Sequence, residues 1–153
     1  MRIFDSHCHL DDEAYRQDID AVLQRAADAG VLRVMIAAVD EATSLKAVAL
    51  AEKWPGVYAA VGFHPHDARH CTATGLATLR RLAGRSEVRA WGEIGLDFNR
   101  MYSPRKDQEH WFVRQLEIAA ELGLPMIFHE RDSNGRFLDI LKAHLTKGQT
   151  GVI

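Results

Sequence analysis

The sequence predicts an α/β fold of the (β/α)8 barrel type, carried as about five βα units and the start of a sixth strand. Three observations lead there. Strand-like and helix-like segments alternate five times with no Gly/Ser-rich linker between them, the grammar of a parallel sheet with helical crossovers. The segment after the first strand reads Ser6-His7-Cys8-His9-Leu10, without the glycines that an open doubly wound sheet uses to cradle a phosphate. Histidines and an acidic residue that can bind metal stand at the ends of several strands, the rim on which barrel enzymes keep their chemistry. A complete barrel takes about 250 residues. The 153 residues here end in the run Gly151-Val152-Ile153, so the expectation is one incomplete domain, 1–153.

Each element has its own signature. Ile3–Phe4 opens the first strand. Ile19, Val22, Leu23, Ala26 and Ala27 recur at helical spacing, and Gly30 stands where a C′ residue belongs. Val31–Val39 is the second strand, and Leu45, Val48 and Ala49 begin the second helix. Val57–Val61 is the third strand, followed by a helix marked by Leu76, Leu79 and Leu82. Val88–Trp91 is the fourth. Ser103 as N-cap and Pro104 at N1 open a helix that runs through Phe112, Leu116, Ala119 and Ala120 to Gly123. Met126–Phe128 is the fifth strand. Asp132 or Ser133 caps a last helix carrying Phe137, Ile140, Leu141 and Leu145, and Val152–Ile153 starts the sixth strand.

Composition narrows the function. At 47% hydrophobic the chain can build a core, and 19 Lys+Arg against 21 Asp+Glu leave a formal charge of −2. No global basic field recruits nucleic acid, so any such recognition is local and its salt dependence shallow. The two cysteines, Cys8 and Cys71, form no CxxC pair, which argues against a disulfide scaffold or a cysteine-rich zinc site. Asp5 interrupts the N-terminus before an apolar segment forms, and the longest apolar run, Val34–Val39, is too short to span a bilayer. A cytoplasmic protein without membrane contact is expected.

Strand alternation puts Asp5, His7 and His9 on one face and Ser6 and Cys8 on the other. Two converging imidazoles can chelate a divalent cation with Asp5 supporting them, though the pair taken alone equally fits two surface histidines beside a turn. Glu93, in Trp91-Gly92-Glu93-Ile94-Gly95-Leu96-Asp97, closes an apolar strand where glycines admit close approach. His129 ends the fifth strand. Together, His7, His9, Glu93 and His129 point to one rim and to a metal site. In His64-Pro65-His66-Asp67 the proline breaks the alternation, so the two rings need not share a direction, and substrate contact or an ordinary polar loop fits equally. His64 and Arg131 are the substrate-binding candidates, Arg131 through a planar fork suited to phosphate. His70, His110 and His144 read as surface or packing residues.

Four segments carry a resemblance. Phe4-Asp5-Ser6-His7-Cys8-His9-Leu10, Gly62-Phe63-His64-Pro65-His66, Gly92-Glu93-Ile94-Gly95-Leu96-Asp97-Phe98-Asn99-Arg100 and Phe128-His129-Glu130-Arg131-Asp132, in that order, resemble the TatD family of metal-dependent deoxyribonucleases. The resemblance covers the whole chain. It implies an amidohydrolase-type barrel that hydrolyses phosphodiester bonds of DNA, as an exonuclease, with two divalent ions drawn from magnesium, manganese or zinc. His7 and His9 match ligands of one ion, Glu93 the carboxylate shared by both, and His129 a ligand of the other. The family pattern next places a histidine after the sixth strand and an aspartate after the eighth, beyond Ile153, and the general base has no match among these residues. The expectation is that this chain alone is inactive and that its exposed sheet edges favour self-association. Two alternatives stand beside this reading: an amidohydrolase-type enzyme cleaving C–N bonds of a small cyclic substrate, and a non-catalytic remnant. The fourth strand separates the first of them, because many such enzymes carry a lysine there where this chain has Glu93.

Overall fold

The computed structural model describes residues 2–153. Six strands, β1 (Ile3–Cys8), β2 (Val31–Ala37), β3 (Val57–Val61), β4 (Val88–Asp97), β5 (Met126–Arg131) and β6 (Gly151–Val152), form one parallel sheet in the order β1-β2-β3-β4-β5-β6. Sequential order is what a barrel requires, since each crossover moves the chain one strand onward in the same sense. The helices α1 (Ile19–Asp28), α2 (Glu41–Lys53), α3 (Ala73–Leu82), α4 (Arg105–Leu122) and α5 (Arg136–His144) make the crossovers, with 3-10 turns at Glu13–Tyr15 and Pro65–His70. The sheet curls, as an arc of a (β/α)8 barrel does. Among the described residues no helix is long and apolar enough to cross a membrane.

Alternation sorts the side chains into two layers. Val34, Ile36, Val57, Ala59, Val61, Val88, Ile94, Leu96, Met126 and Phe128 face the helices and meet Leu76, Leu79, Phe112, Leu116, Phe137 and Ile140 in the main core. Met35, Ala37, Ala60, Ala90 and Ile127 face the concave side and cluster with Tyr58. Phe112 stacks on Phe137 at 5.2 Å, and Phe128 meets both rings edge-on, which ties α4 and α5 to β5. At the end of the concave face where the strands begin lies a cavity of about 530 Å³, bounded by Phe4, Arg33, Met35, Tyr58, Arg89 and Ile127.

Local details depart from the sequence pattern in three places. In α2 the buried positions are Ser44, Ala47, Val48 and Ala51, while Leu45 is exposed. Small side chains at i, i+3, i+4 and i+7 let this helix settle close on the sheet, and the cap is a reciprocal pairing of Asp40 with Thr43. Ser103 does not cap α4. Pro104 takes the cap position, and Ser103 turns into the rim, where its hydroxyl donates to the His66 carbonyl (2.6 Å) and accepts the Arg69 N–H (2.9 Å). In α5 the cap position falls to Gly135, with Ser133 Oγ accepting the Phe137 N–H at 3.3 Å.

β4 and β5 approach so closely that side chains are excluded at defined points. Gly95 has φ +148° and is in register with His129, whose carbonyl oxygen occupies the space that a Cβ would take. Replacing Gly95 by alanine therefore combines a backbone penalty with a steric overlap. The Gly95→Ala variant is expected to lose about 3 kcal/mol of stability, read from its urea midpoint. An unchanged midpoint would mean that the two strands part freely at this point.

Candidate metal centre

The site lies where the strands end. β1 delivers His7 and His9, the loop after β3 delivers His64 and His66, β4 delivers Glu93 and Asp97, and β5 delivers His129. β1 reaches the rim through an irregularity: Asp5 is in register with Val34 and Cys8 with Ile36, so three residues of β1 span two of β2. Such a bulge resets the alternation. The simple alternation that puts Asp5 and His7 on one face is therefore interrupted between Asp5 and Cys8. It accepts the backbone N–H of His7 at 3.2 Å and so supports the turn from below.

Glu93 is the meeting point. Its carboxylate is 6% exposed and is surrounded by three imidazoles: His7 Nε2 at 3.2 Å from Oε2, His129 Nδ1 at 3.2 Å from Oε1, and His64 Nε2 at 3.8 Å from Oε1. Burial by itself would raise this carboxyl, but its hydrogen bonds to His129 and His7 win and hold it well below the usual carboxylate range. The histidines answer in kind. The hydrogen bond to Glu93 raises His7 despite partial burial, and burial of His129 is overcome by Glu93 and then Asp97, which raise it too. His64 goes the other way: burial pushes it down to about 3, so its ring is neutral.

Asp97 is the residue that sequence reasoning leaves without a role. It is fully buried, and its Oδ2 lies 2.7 Å from His66 Nε2 and 3.1 Å from His129 Nε2. His129 thus stands between two carboxylates, one nitrogen on each. His66, offered above as a loop residue without fixed direction, packs its ring 4.3 Å from that of His64, whose Nδ1 accepts the His66 backbone N–H. The signal for Asp97 is in the sequence: Glu93, Gly95 and Asp97 share one face of a strand by period two, provided the strand runs past Trp91.

Two buried glutamines of α4 hold these rim segments. Gln115 Oε1 accepts the Phe63 N–H (2.7 Å) and Trp91 Nε1–H (3.3 Å), while its Nε2 donates to the Phe63 carbonyl (3.0 Å). Gln108 Oε1 accepts the Asp97 N–H (2.8 Å), and its Nε2 donates to the carbonyls of Asp97 (2.9 Å) and Ser103 (2.8 Å). Each amide pairs with the backbone as a strand would, beside the residues that carry His64 and Asp97. Arg131 ends β5, in register with Asp97, with its side chain exposed.

Two groups of three ligand atoms lie close enough to hold an ion: His7, His9 and Glu93, and His64, His66 and His129, each set with its atoms within 4.8 Å of one another. The model of the TatD-related DNases matches residues 4–153. The chain belongs to that family. It is 41% identical over 145 residues to the 3'-5' ssDNA/RNA exonuclease TatD of Cronobacter sakazakii, a match covering 95% of this chain and 55% of the relative. To the uncharacterized metal-dependent hydrolase YabD of Bacillus subtilis it is 35% identical over 151 residues, covering 99% of this chain and 59% of that protein. Among solved structures, YJJV, a TatD homolog from Escherichia coli, superposes with a TM-score of 0.86 at 35% identity over 94% of this chain and 56% of its own. A hydrolase of the TatD family from Entamoeba histolytica does so with a TM-score of 0.91 at 25% identity, over 100% of this chain and 57% of its own. The chain thus spans between half and three fifths of the length of these relatives.

The glutamine clamps yield a stability test. Gln115→Leu keeps the volume but strips Phe63 of both backbone partners and Trp91 of its acceptor in a buried setting. A loss of about 2–4 kcal/mol is expected, read from chemical denaturation. A near-neutral variant would show that water reaches these groups.

Proposed function

We propose that this chain carries part of the active site of a metal-dependent hydrolase that cleaves phosphodiester bonds in single-stranded nucleic acid, acting from an end. The observation that carries this reading is the buried Glu93 carboxylate with imidazoles against both of its oxygens, supported by the named activity of the Cronobacter sakazakii relative. His7 and His9 with Glu93 would hold one divalent ion, and Glu93 with His129 would contribute to a second. The donor set fits: imidazole nitrogens and a carboxylate, without thiolate, suit zinc and manganese and admit magnesium at the carboxylate. Bound there, divalent ions acidify water toward a nucleophile at neutral pH and offset charge developing on the phosphoryl oxygens.

The chain's own residues do the rest. Glu93 stays ionised in a buried place and keeps His7 and His129 oriented toward it. His64, neutral and 6% exposed, accepts the His66 N–H at Nδ1 and so carries its proton on Nε2. That N–H is a donor suited to a non-bridging phosphate oxygen, and a neutral ring pays no cost for a buried charge. Arg131, exposed on the same rim, supplies a planar cation for the next phosphate along the strand. With a net charge of −2, such local contacts carry nucleic-acid binding.

Fluorescence anisotropy with a 3′-labelled single-stranded oligonucleotide tests the reading. Manganese is expected to tighten binding at least tenfold over EDTA, and Glu93→Gln to remove that gain; binding indifferent to metal would contradict the proposal. Any cleavage is expected to vanish in EDTA and in Glu93→Gln. Zinc titration gives the pH dependence. The metal needs neutral imidazoles, and both His7 and His129 are raised above 6.5, so affinity is full above the raised values and lost as pH falls through them. A Kd that is constant from pH 8 to pH 6 would exclude His7 and His129 as ligands.

A further inference from the structure

We propose that Asp97 is a positioning residue that keeps a proton on Nε2 of His129, so that Nδ1, the nitrogen facing Glu93, is the one free to bind a metal ion. The proposal rests on the metal-site reading above and assigns a residue that this reading does not use. An ionised carboxylate only accepts hydrogen bonds, so a ring nitrogen 3.1 Å away must carry hydrogen to bond it. Asp97 is met only by donors, the backbone N–H groups of Asn99 and Arg100 and the rings of His66 and His129, the surroundings that favour an ionised carboxylate. Its orientation is locked from behind: Oδ1 accepts the N–H groups of Asn99 (3.0 Å) and Arg100 (2.8 Å), and Gln108 binds both its backbone N–H and its carbonyl. Only Oδ2 is left for the histidines, and it takes His66 and His129 together.

When the ring of His129 is neutral, one of its two protons has gone. Glu93 retains His7, 3.2 Å from its other oxygen, as a partner if Nδ1 gives up its proton. Asp97, fully buried, has no solvent to replace what it would lose at Nε2. The ring therefore keeps hydrogen on Nε2, and its lone pair faces Glu93. The same bonds argue against an ion among His64, His66 and His129, although their ligand atoms lie close together. His64 Nδ1 is taken by the His66 N–H, and the Nε2 atoms of His66 and His129 are taken by Asp97. A carboxylate that fixes the free nitrogen of a ligating imidazole in this way commonly changes metal affinity 10–100-fold when removed.

Asp97→Asn is a sharp test because the amide has only one way to sit. The Asn99 and Arg100 N–H groups select its oxygen, which turns its NH2 toward the Nε2 atoms of His66 and His129. Both nitrogens must then accept, and hydrogen moves to Nδ1 of His129, against the metal position. Two readouts are taken. Long-range 1H–15N spectra at about pH 9, where imidazoles are neutral, are expected to show hydrogen on Nε2 of His129 in the wild type and on Nδ1 in the variant. Zinc titration at the same pH is expected to show an affinity 10–100-fold lower in the variant. A His129 that carries hydrogen on Nδ1 in the wild type overturns the proposal, with or without a stable variant. So does an Asp97→Asn protein with moved hydrogen and unchanged zinc affinity. If the wild type binds no zinc, the metal-site reading fails, and the spectra still decide whether Asp97 sets the tautomer.

Discussion

One imidazole held between two carboxylates is the arrangement on which the rest of the rim depends. His129 reaches Glu93 with Nδ1 and Asp97 with Nε2, and it can do so because Gly95, its register partner on β4, has no side chain. Period two places Glu93 and Asp97 on either side of Gly95 along one face. A parallel pairing that sets His129 opposite the middle of that triplet leaves its ring with a carboxylate at each end. Buried charges of this kind are expensive unless every lone pair and proton is matched. The rim meets that condition with four histidines around two acids, backbone N–H groups on Asp97, and the α4 glutamines behind them.

The helix layer is more than a cover for the sheet. α4 buries Phe112 and Leu116 against the sheet as an amphipathic helix should, but it also buries Gln108 and Gln115 at the same level. Their amides extend strand-like hydrogen bonding to Phe63 and Asp97, where the strands have run out and the chain is turning. Loops that carry reactive groups are usually the least constrained part of a barrel. Here two of them are fastened by side chains from a helix, which is how His64 comes to be nearly buried and neutral.

Much of this was legible in the sequence. Strand order and the ends that carry His7, Glu93 and His129 follow from alternating β-rich and helical segments, a pattern robust to small errors in element ends. Helix phase in α2 was legible only in part: Val48 is buried, but Leu45 and Ala49 are exposed and Ser44, Ala47 and Ala51 complete the stripe, because close packing on the sheet favours small side chains over large ones. Ser103 before Pro104 has the form of a helix cap and is instead spent on His66 and Arg69, a choice made by tertiary contacts. Asp97 escaped because a strand read as ending at Trp91 leaves it in a turn beside Asn99 and Arg100, where aspartate is common. His66 escaped because a proline separates it from His64, and only the fold brings Asp97 within 2.7 Å of its ring.

In the proposed site Glu93, and not the group of three histidines beside it, is the centre of metal binding. The direct measurement is a crystal structure of the zinc-soaked protein with anomalous data collected at the zinc edge. The account predicts a peak within about 2.0–2.2 Å of His7, His9 and Glu93 ligand atoms, and any second peak bound by Glu93 and by Nδ1 of His129. A peak coordinated by His64, His66 and His129, with Asp97 displaced from their nitrogens and no density at Glu93, would contradict it.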